Sequence, residues 1–112
     1  MRRDWVYSRD VAAGLILLLD AKTTRHAVYN LSAGGEWGNV GEWCTRLKTA
    51  YPHFYYRTAE NGEAPNIGYT DRDRCALDIG RMAGEFGFSP RSTADAFDDY
   101  LDWMRRTPDA IT

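Results

Sequence analysis

The sequence is poor in cysteine and histidine, and these shortages exclude two classes of site. The 112 residues contain two cysteines, Cys44 and Cys75, whose spacing fits neither a zinc motif nor a disulfide framework. Reduced thiols and a cytoplasmic location are therefore predicted. The two histidines, His26 and His53, stand apart in the sequence, so neither is predicted to be a metal ligand or a catalytic base.

Long apolar runs and a basic excess are also missing. The apolar run from Val11 to Leu19 is far shorter than the roughly 20 residues that a membrane-spanning helix needs. The formal net charge is −2, whereas domains that bind nucleic acid or an anionic membrane usually carry an excess of Lys and Arg. The sequence therefore predicts neither a nucleic-acid partner nor a membrane partner.

Catalytic motifs are absent as well. The glycines Gly34, Gly35 and Gly38 do not have the spacing of a dinucleotide-binding loop or a P-loop. No Ser/His/Asp or Cys/His pattern indicates an activated nucleophile. Composition and motifs alone thus reveal no catalytic machinery.

What is present favours one globular domain with several helices. Hydrophobic residues make up 44% and charged residues 27% of the chain, as is usual for globular proteins. N-cap residues and apolar residues at helical spacing predict four helices. Their ranges are 11–20, capped by Asp10; 39–50, with the capping-box pair Asn39 and Glu42; 79–86, capped by Asp78 and ended by Gly87; and 93–105, with the pair Ser92 and Asp95. The first helix is apolar all round, so it is predicted to be buried on more than one side.

Short segments rich in β-prone residues precede or separate these helices. They predict strands near 4–8 and 27–31, with shorter ones near 54–57 and 75–77. The alternation of strands and helices predicts an α/β fold with short parallel strands and about four helices. The predicted core consists of Trp5, Leu15, Leu18, Val28, Trp43, Leu47, Phe86, Phe97 and Leu101.

Four segments, taken in order, resemble a known enzyme family. They are RDWVYSRDVA at 3–12, AVYNLSAGG at 27–35, DIGRMAGEFGFSP at 78–90 and YLDWMRRTP at 100–108. Together they resemble the C-terminal part of the NAD(P)-dependent epimerase/dehydratase family, the extended short-chain dehydrogenases. The resemblance implies that the chain, 1–112, is a substrate-side fragment of such an enzyme. Residues 1–50 would join the Rossmann sheet of a missing nucleotide-binding half, and residues 51–112 would form a substrate-side lobe.

The resemblance also implies where the chemistry resides. In the family, NAD or NADP and the catalytic Tyr-x-x-x-Lys pair belong to the nucleotide-binding half. No tyrosine of this sequence has a lysine four positions later. We therefore expect no catalytic, cofactor-binding or metal-binding residue in this chain. The implied full-length protein is a sugar-nucleotide epimerase or dehydratase, or a sugar-acid dehydrogenase.

Three arginines are the predicted substrate-binding residues. By resemblance, Arg3 contacts the anionic part of a sugar-derived substrate, and a guanidinium fork suits phosphate or carboxylate oxygens. Arg72 and Arg74 correspond to a second cationic segment and would share one face of a strand. The alternatives are a salt bridge from Arg3 to Asp4 or Asp10, and an exposed ladder of charges at 71–74.

Partner predictions follow from the same resemblance. The full-length protein would bind a sugar-derived anionic small molecule. The isolated fragment would self-associate, because its strand edges and the apolar helix at 11–19 would be exposed. The alternative interpretation is a stand-alone, degenerate binding or interaction module without enzymatic activity.

Overall fold

Four α-helices and one short 3-10 helix form the regular structure of the described residues. The computed structural model describes residues 4–35, 39–66 and 75–110. The helices are α1 (Ser8–Asp20), α2 (Val40–Ala50), α3 (Gly80–Phe86), α4 (Thr93–Arg106) and the 3-10 helix Pro108–Ala110. All four predicted α-helices are confirmed, with ends that differ by three residues or fewer. None of the helices in these ranges has the length and apolar content needed to cross a bilayer.

The predicted strands are wrong, and with them the α/β fold class. The described residues contain four helices and no strand, including the segments 4–8, 27–31, 54–57 and 75–77. Side chains form hydrogen bonds with main-chain N–H and carbonyl groups that a sheet would have paired. The Leu77 N–H donates to Asp4, the Val28 carbonyl accepts from Arg81, and the Asp78 carbonyl accepts from Asn30.

The start of α1 corrects the predicted role of Asp10. The helix begins at Ser8, after Tyr7, so Asp10 lies in the first turn and does not cap the helix. Its side chain is buried, at 5% exposure, and its Oδ2 accepts the Arg91 N–H at 3.0 Å. Asp10 also forms an ion pair with the Arg91 guanidinium. Asp10 thus ties α1 to the residues that precede α4.

The other helix ends follow the sequence more closely. At α4, Ser92 Oγ accepts the Asp95 N–H at 3.1 Å and donates to Asp95 Oδ2 at 2.7 Å. At α2, Asn39 is the N-cap, but its side chain makes no capping hydrogen bond. Asp78 Oδ1 accepts the Gly80 N–H at 2.7 Å, although Ile79 is the N-cap of α3. Gly87 ends α3 with a φ of +67°, the left-handed conformation that glycine adopts most readily.

The described core is small and lies around α4 and the end of α3. Its buried apolar side chains are Met82, Phe88, Ala96, Phe97 and Leu101. The Cα radius of gyration is 16.8 Å, compared with about 13 Å for a compact domain of about 100 residues. The chain is therefore more extended than a single well-packed domain of this length.

The predicted core is correct only in part. Phe97 and Leu101 are buried, which confirms them. Trp5, Leu18, Trp43, Leu47 and Phe86 are partly buried. Leu15 and Val28 are 48% and 64% exposed, so their assignment to the core is wrong. The prediction that α1 is buried on more than one side is also wrong, because Leu15, Ile16 and Leu19 face outward.

Candidate functional site

A hydrogen bond between Asp4 and Leu77 joins two segments that each follow a predicted substrate-binding arginine. Asp4 Oδ2 accepts the backbone N–H of Leu77 at 2.6 Å, across 73 positions of sequence. Arg3 directly precedes Asp4, and Arg74 precedes Leu77 by three residues. The three predicted substrate-binding residues, Arg3, Arg72 and Arg74, lie outside the described residues. The contact therefore places the described neighbours of Arg3 and Arg74 side by side.

The second oxygen of the Asp4 carboxylate has different surroundings. Asp4 Oδ1 is buried and has no hydrogen-bond partner among the described residues. A buried carboxylate oxygen without a donor is costly, by about 1–3 kcal/mol or more. Asp4 is thus held in place through one oxygen while the other retains an unused capacity to accept a hydrogen bond.

An aromatic pocket begins at the residue after Asp4. It has a volume of about 300 Å³ and is lined by Trp5, Val6, Tyr7, Ser8, Trp43 and Tyr100. This volume is at the lower end of the range for small-molecule pockets, and the pocket is partly open to solvent. The pocket joins the segment before α1 to α2 and α4. The Trp43 wall of the pocket packs on the core, because the ring centroids of Trp43 and the buried Phe97 are 4.3 Å apart.

A charged network fixes the Tyr7 side of this pocket. The Tyr7 hydroxyl donates to Asp99 Oδ2 at 2.6 Å, and the Arg9 guanidinium donates to the same oxygen at 2.9 Å. The Arg91 guanidinium lies 5.6 Å from the centre of the Tyr7 ring, within the range of a cation–π interaction. The pocket wall is therefore held by both hydrogen bonds and charge.

The network shifts two pKa values in opposite directions. Desolvation, followed by the hydrogen bond to Asp99, raises the pKa of the Tyr7 phenol. The hydrogen bond from Tyr7, followed by the charges of Arg9 and Arg91, lowers the pKa of Asp99 in spite of partial desolvation. Tyr7 thus remains a neutral donor, and Asp99 an ionised acceptor, at neutral pH.

A second polar cluster lies between residues 25–29 and α3. The Tyr29 hydroxyl donates to Glu85 Oε2 at 2.5 Å and accepts the His26 N–H at 3.0 Å, while Glu85 Oε1 accepts the Arg25 N–H at 2.8 Å. The His26 ring packs edge-on against Tyr29, with centroids 5.7 Å apart. Each of these groups has a structural partner, so the cluster fixes the turn at 25–29 on α3.

The described residues do not form a metal site or a dinucleotide cradle. No three His, Cys, Asp or Glu side chains converge there as ligands of an ion. Three of the described glycines have positive φ, and they lie in separate segments: Gly34, Gly62 and Gly87. A Cβ at Gly34 would lie 2.6 Å from the Ile79 side chain, so the lack of a side chain at Gly34 makes room for Ile79. The described glycines with positive φ therefore do not form a loop of the kind that cradles a dinucleotide phosphate.

Sequence reasoning missed most of the aromatic pocket and its charged support. It assigned Trp5 and Trp43 to the core and gave no partner to Tyr7. Among the acidic residues of α4, Asp95, Asp98 and Asp102 are exposed, whereas Asp99 is partly buried against Tyr7 and Arg9. The available signal was the alternation of aromatic and charged residues in RDWVYSRD, which opens the chain.

Comparisons with known proteins leave the family open. No protein-family model, no curated protein and no solved structure matches this chain.

Proposed function

We propose that this chain is the substrate-binding side of an NAD(P)-dependent sugar-nucleotide epimerase or dehydratase, or of a sugar-acid dehydrogenase. In this proposal Arg3, Arg72 and Arg74 hold the anionic group of a sugar-derived substrate. The cofactor and the catalytic Tyr/Lys pair come from a nucleotide-binding half outside this sequence. The proposed compartment is the cytoplasm.

The hydrogen bond between Asp4 and Leu77 carries the proposal. It joins the segments that follow Arg3 and Arg74, which the resemblance assigns to one anion site. A contact between residues 73 positions apart in sequence has no local cause, so it supports a shared role for these two segments. Guanidinium groups suit such a role, because their planar forks match carboxylate and phosphate oxygens in pairs.

The aromatic pocket beside this contact supports a sugar-derived ligand. A sugar ring has apolar C–H faces as well as hydroxyl groups, and Trp5, Tyr7 and Trp43 offer ring surfaces of the right kind. Binding pockets for small molecules combine such a lining with a few polar groups that fix orientation.

The second candidate function is a binding module without enzymatic activity. One observation favours it: the segment before α1, together with α2 and α4, lines a pocket within this chain. Both candidates predict binding of a sugar-derived anion, but only the first requires a nucleotide-binding half. The sequence upstream of Met1 in the same reading frame separates them. The enzyme proposal expects a Gly-rich loop and a Tyr-x-x-x-Lys pair there, and their absence would leave only the binding module.

Calorimetric titration tests the shared part of both candidates. The probes are a hexuronic acid, a nucleotide diphosphate sugar and, as a control, the uncharged hexose. Each charge-assisted hydrogen bond contributes about 1.5–3 kcal/mol, so Arg3→Ala should weaken binding of the charged probes about tenfold or more. Arg3→Lys should restore only part of the affinity, since it keeps the charge but loses the fork.

The matched control for the titration is Arg105→Ala. Arg105 is exposed and lies 3.6 Å from Asp102 on the same helix, so its loss should leave binding unchanged. If Arg3→Ala and Arg105→Ala bind both charged probes like the parent, the anion site assigned to Arg3 is wrong. If no probe binds the parent chain, both candidate functions are wrong for the chain alone.

A further inference from the structure

The exposed side of α1 carries an apolar stripe, formed by Ala12, Leu15, Ile16 and Leu19. Leu15, Ile16 and Leu19 are 48%, 57% and 83% exposed, and Ala12 is exposed too. The four positions follow the i, i+3, i+4, i+7 pattern by which a helix packs against another helix. The opposite side of α1 is already used, because Asp10 and Gly14 are buried.

We propose that this apolar stripe is the contact surface of a homodimer, in which α1 packs antiparallel against α1 of a second copy. A two-fold axis between residues 15 and 16 maps the stripe onto itself. Ala12 then lies opposite Leu19 of the second copy, and Leu15 opposite Ile16. Small residues facing large ones let the two helices interdigitate, and a self-complementary patch is what a two-fold interface requires.

Charge complementarity selects the second copy as the occupant. Arg9 and Asp20 are 11 residues apart, or about three turns, so they lie on the same flank of the stripe. The two-fold axis places this flank on the same side of both helices, which run in opposite directions. Arg9 of one copy therefore lies near Asp20 of the other, at both ends of the contact. Asp20 is exposed and makes no ion pair with the described residues, whereas Arg9 is 46% exposed beside its contact with Asp99.

The packing of α1 within one copy leaves this surface rigid. Its first turn is anchored by the contact of Asp10 with Arg91. The middle of α1 packs closely at Gly14, where an added Cβ would lie 2.4 Å from the Leu31 side chain. A helix fixed on one side presents the other side without a cost for ordering it. The proposal depends only on α1 and does not rest on the proposed substrate.

Two alanine substitutions on neighbouring positions form a matched test. Ala12→Glu places a charge in the stripe, whereas Ala13→Glu places the same charge on an exposed position outside it. Both variants replace Ala with Glu, so the change in helix propensity is the same. Circular dichroism checks that both variants fold. Light scattering should show a dimer for the parent and for Ala13→Glu, and a monomer for Ala12→Glu. Leu19→Glu, at the most exposed position, is the second stripe variant if Ala12→Glu fails to fold.

Cysteine cross-linking tests the register in a background with Cys44→Ser and Cys75→Ser. A mixture of Ala12→Cys and Leu19→Cys chains should form a disulfide-linked heterodimer, while neither variant should cross-link with itself. Self-cross-linking of Ala12→Cys would indicate a parallel pair and overturn the proposal. A parent chain that stays monomeric to millimolar concentration would also overturn it and leave the stripe for another partner, such as a nucleotide-binding half. Dimerisation that survives both Ala12→Glu and Leu19→Glu would place the interface elsewhere.

Discussion

The Tyr7 hydroxyl donates a 2.6 Å hydrogen bond to Asp99 Oδ2, and 92 sequence positions separate the two residues. Arg9, two residues after Tyr7, donates to both Asp99 oxygens. The start of α1 is thereby tied to the first half of α4. Because Tyr7 also lines the aromatic pocket, the same contact fixes one wall of that pocket.

The Tyr7–Asp99 bond predicts how stability depends on pH. The pKa of Tyr7 is raised, so the folded state holds this proton more tightly than the unfolded chain does. This contribution is present below the unfolded pKa of about 10 and is lost as pH rises through the higher folded value. The pKa of Asp99 is lowered, so its contribution is present above the ordinary value for Asp and is lost as pH falls through the lower folded value.

Thermal unfolding across the pH range checks this prediction. Tyr7→Phe should reduce the loss of stability at high pH, and it should also reduce the loss at low pH, because Asp99 loses its strongest partner. Tyr55→Phe is the control, since Tyr55 is 76% exposed. Parallel pH profiles for the parent and Tyr7→Phe would show that the bond is not formed in solution.

Asp10 should be the most important carboxylate for the stability of α1. It accepts both the backbone N–H and the guanidinium of Arg91 and is buried. Hydrogen bonds to charged groups contribute about 1.5–3 kcal/mol, so we expect Asp10→Asn to lower the free energy of unfolding by about that amount. Asp98→Asn, on α4 and exposed, should change it by less than about 0.5 kcal/mol. Urea unfolding measures both, and equal effects would contradict the assignment.

Two glycines near the end of α3 should respond in opposite ways to alanine. Gly87 has a φ of +67°, where an L-residue is strained by about 1–2 kcal/mol, so Gly87→Ala should destabilise the protein by that amount. Gly84 is inside α3, and nothing lies within 4 Å of an added Cβ. Gly84→Ala should therefore stabilise the protein by about 0.5–1 kcal/mol through helix propensity. If denaturant unfolding shows that both variants are stabilised, Gly87 does not end the helix as described.

Phe97 should contribute more to the core than any side chain of the aromatic pocket. It is 1% exposed and packs against Trp43, with ring centres 4.3 Å apart. Phe97→Ala should cost about 3–5 kcal/mol, and Trp43→Ala should cost less because Trp43 is only partly buried. Tyr55→Ala is the exposed control. A larger loss of unfolding free energy for Trp43→Ala than for Phe97→Ala would place the core at the pocket instead.

The helices could be predicted from the sequence because their signals are local. Ser92 and Asp95 are three residues apart and form the predicted pair at the start of α4. Gly87 stops α3 by its own backbone conformation. The strands could not be predicted in the same way, because a strand depends on a partner. The polar side chains of Asp4, Asn30 and Arg81 bind the main-chain groups that a sheet would have used.

The candidate site shows the same division between local and distant information. The aromatic residues of RDWVYSRD are visible in the sequence, but their partners are not. Asp99 is one of four acidic residues near the start and middle of α4, and the sequence gives no reason to choose it as the partner of Tyr7. Asp10 pairs with Arg91 across 81 positions. The sequence also offers Asp10 nearer arginine partners, such as Arg3 and Arg9. Only the folded chain decides between them.

The most direct measurement of the proposed function is an NMR titration of the chain with a hexuronic acid. The proposal predicts saturable shifts of the Leu77 amide, which donates to Asp4, and of the Trp5 indole, which lines the pocket. The uncharged hexose should produce much smaller shifts, and Arg3→Ala should raise the dissociation constant about tenfold or more, since it removes at least one charge-assisted hydrogen bond. Shifts confined to residues away from Asp4, Leu77 and the pocket, or an unchanged dissociation constant in Arg3→Ala, would contradict the account.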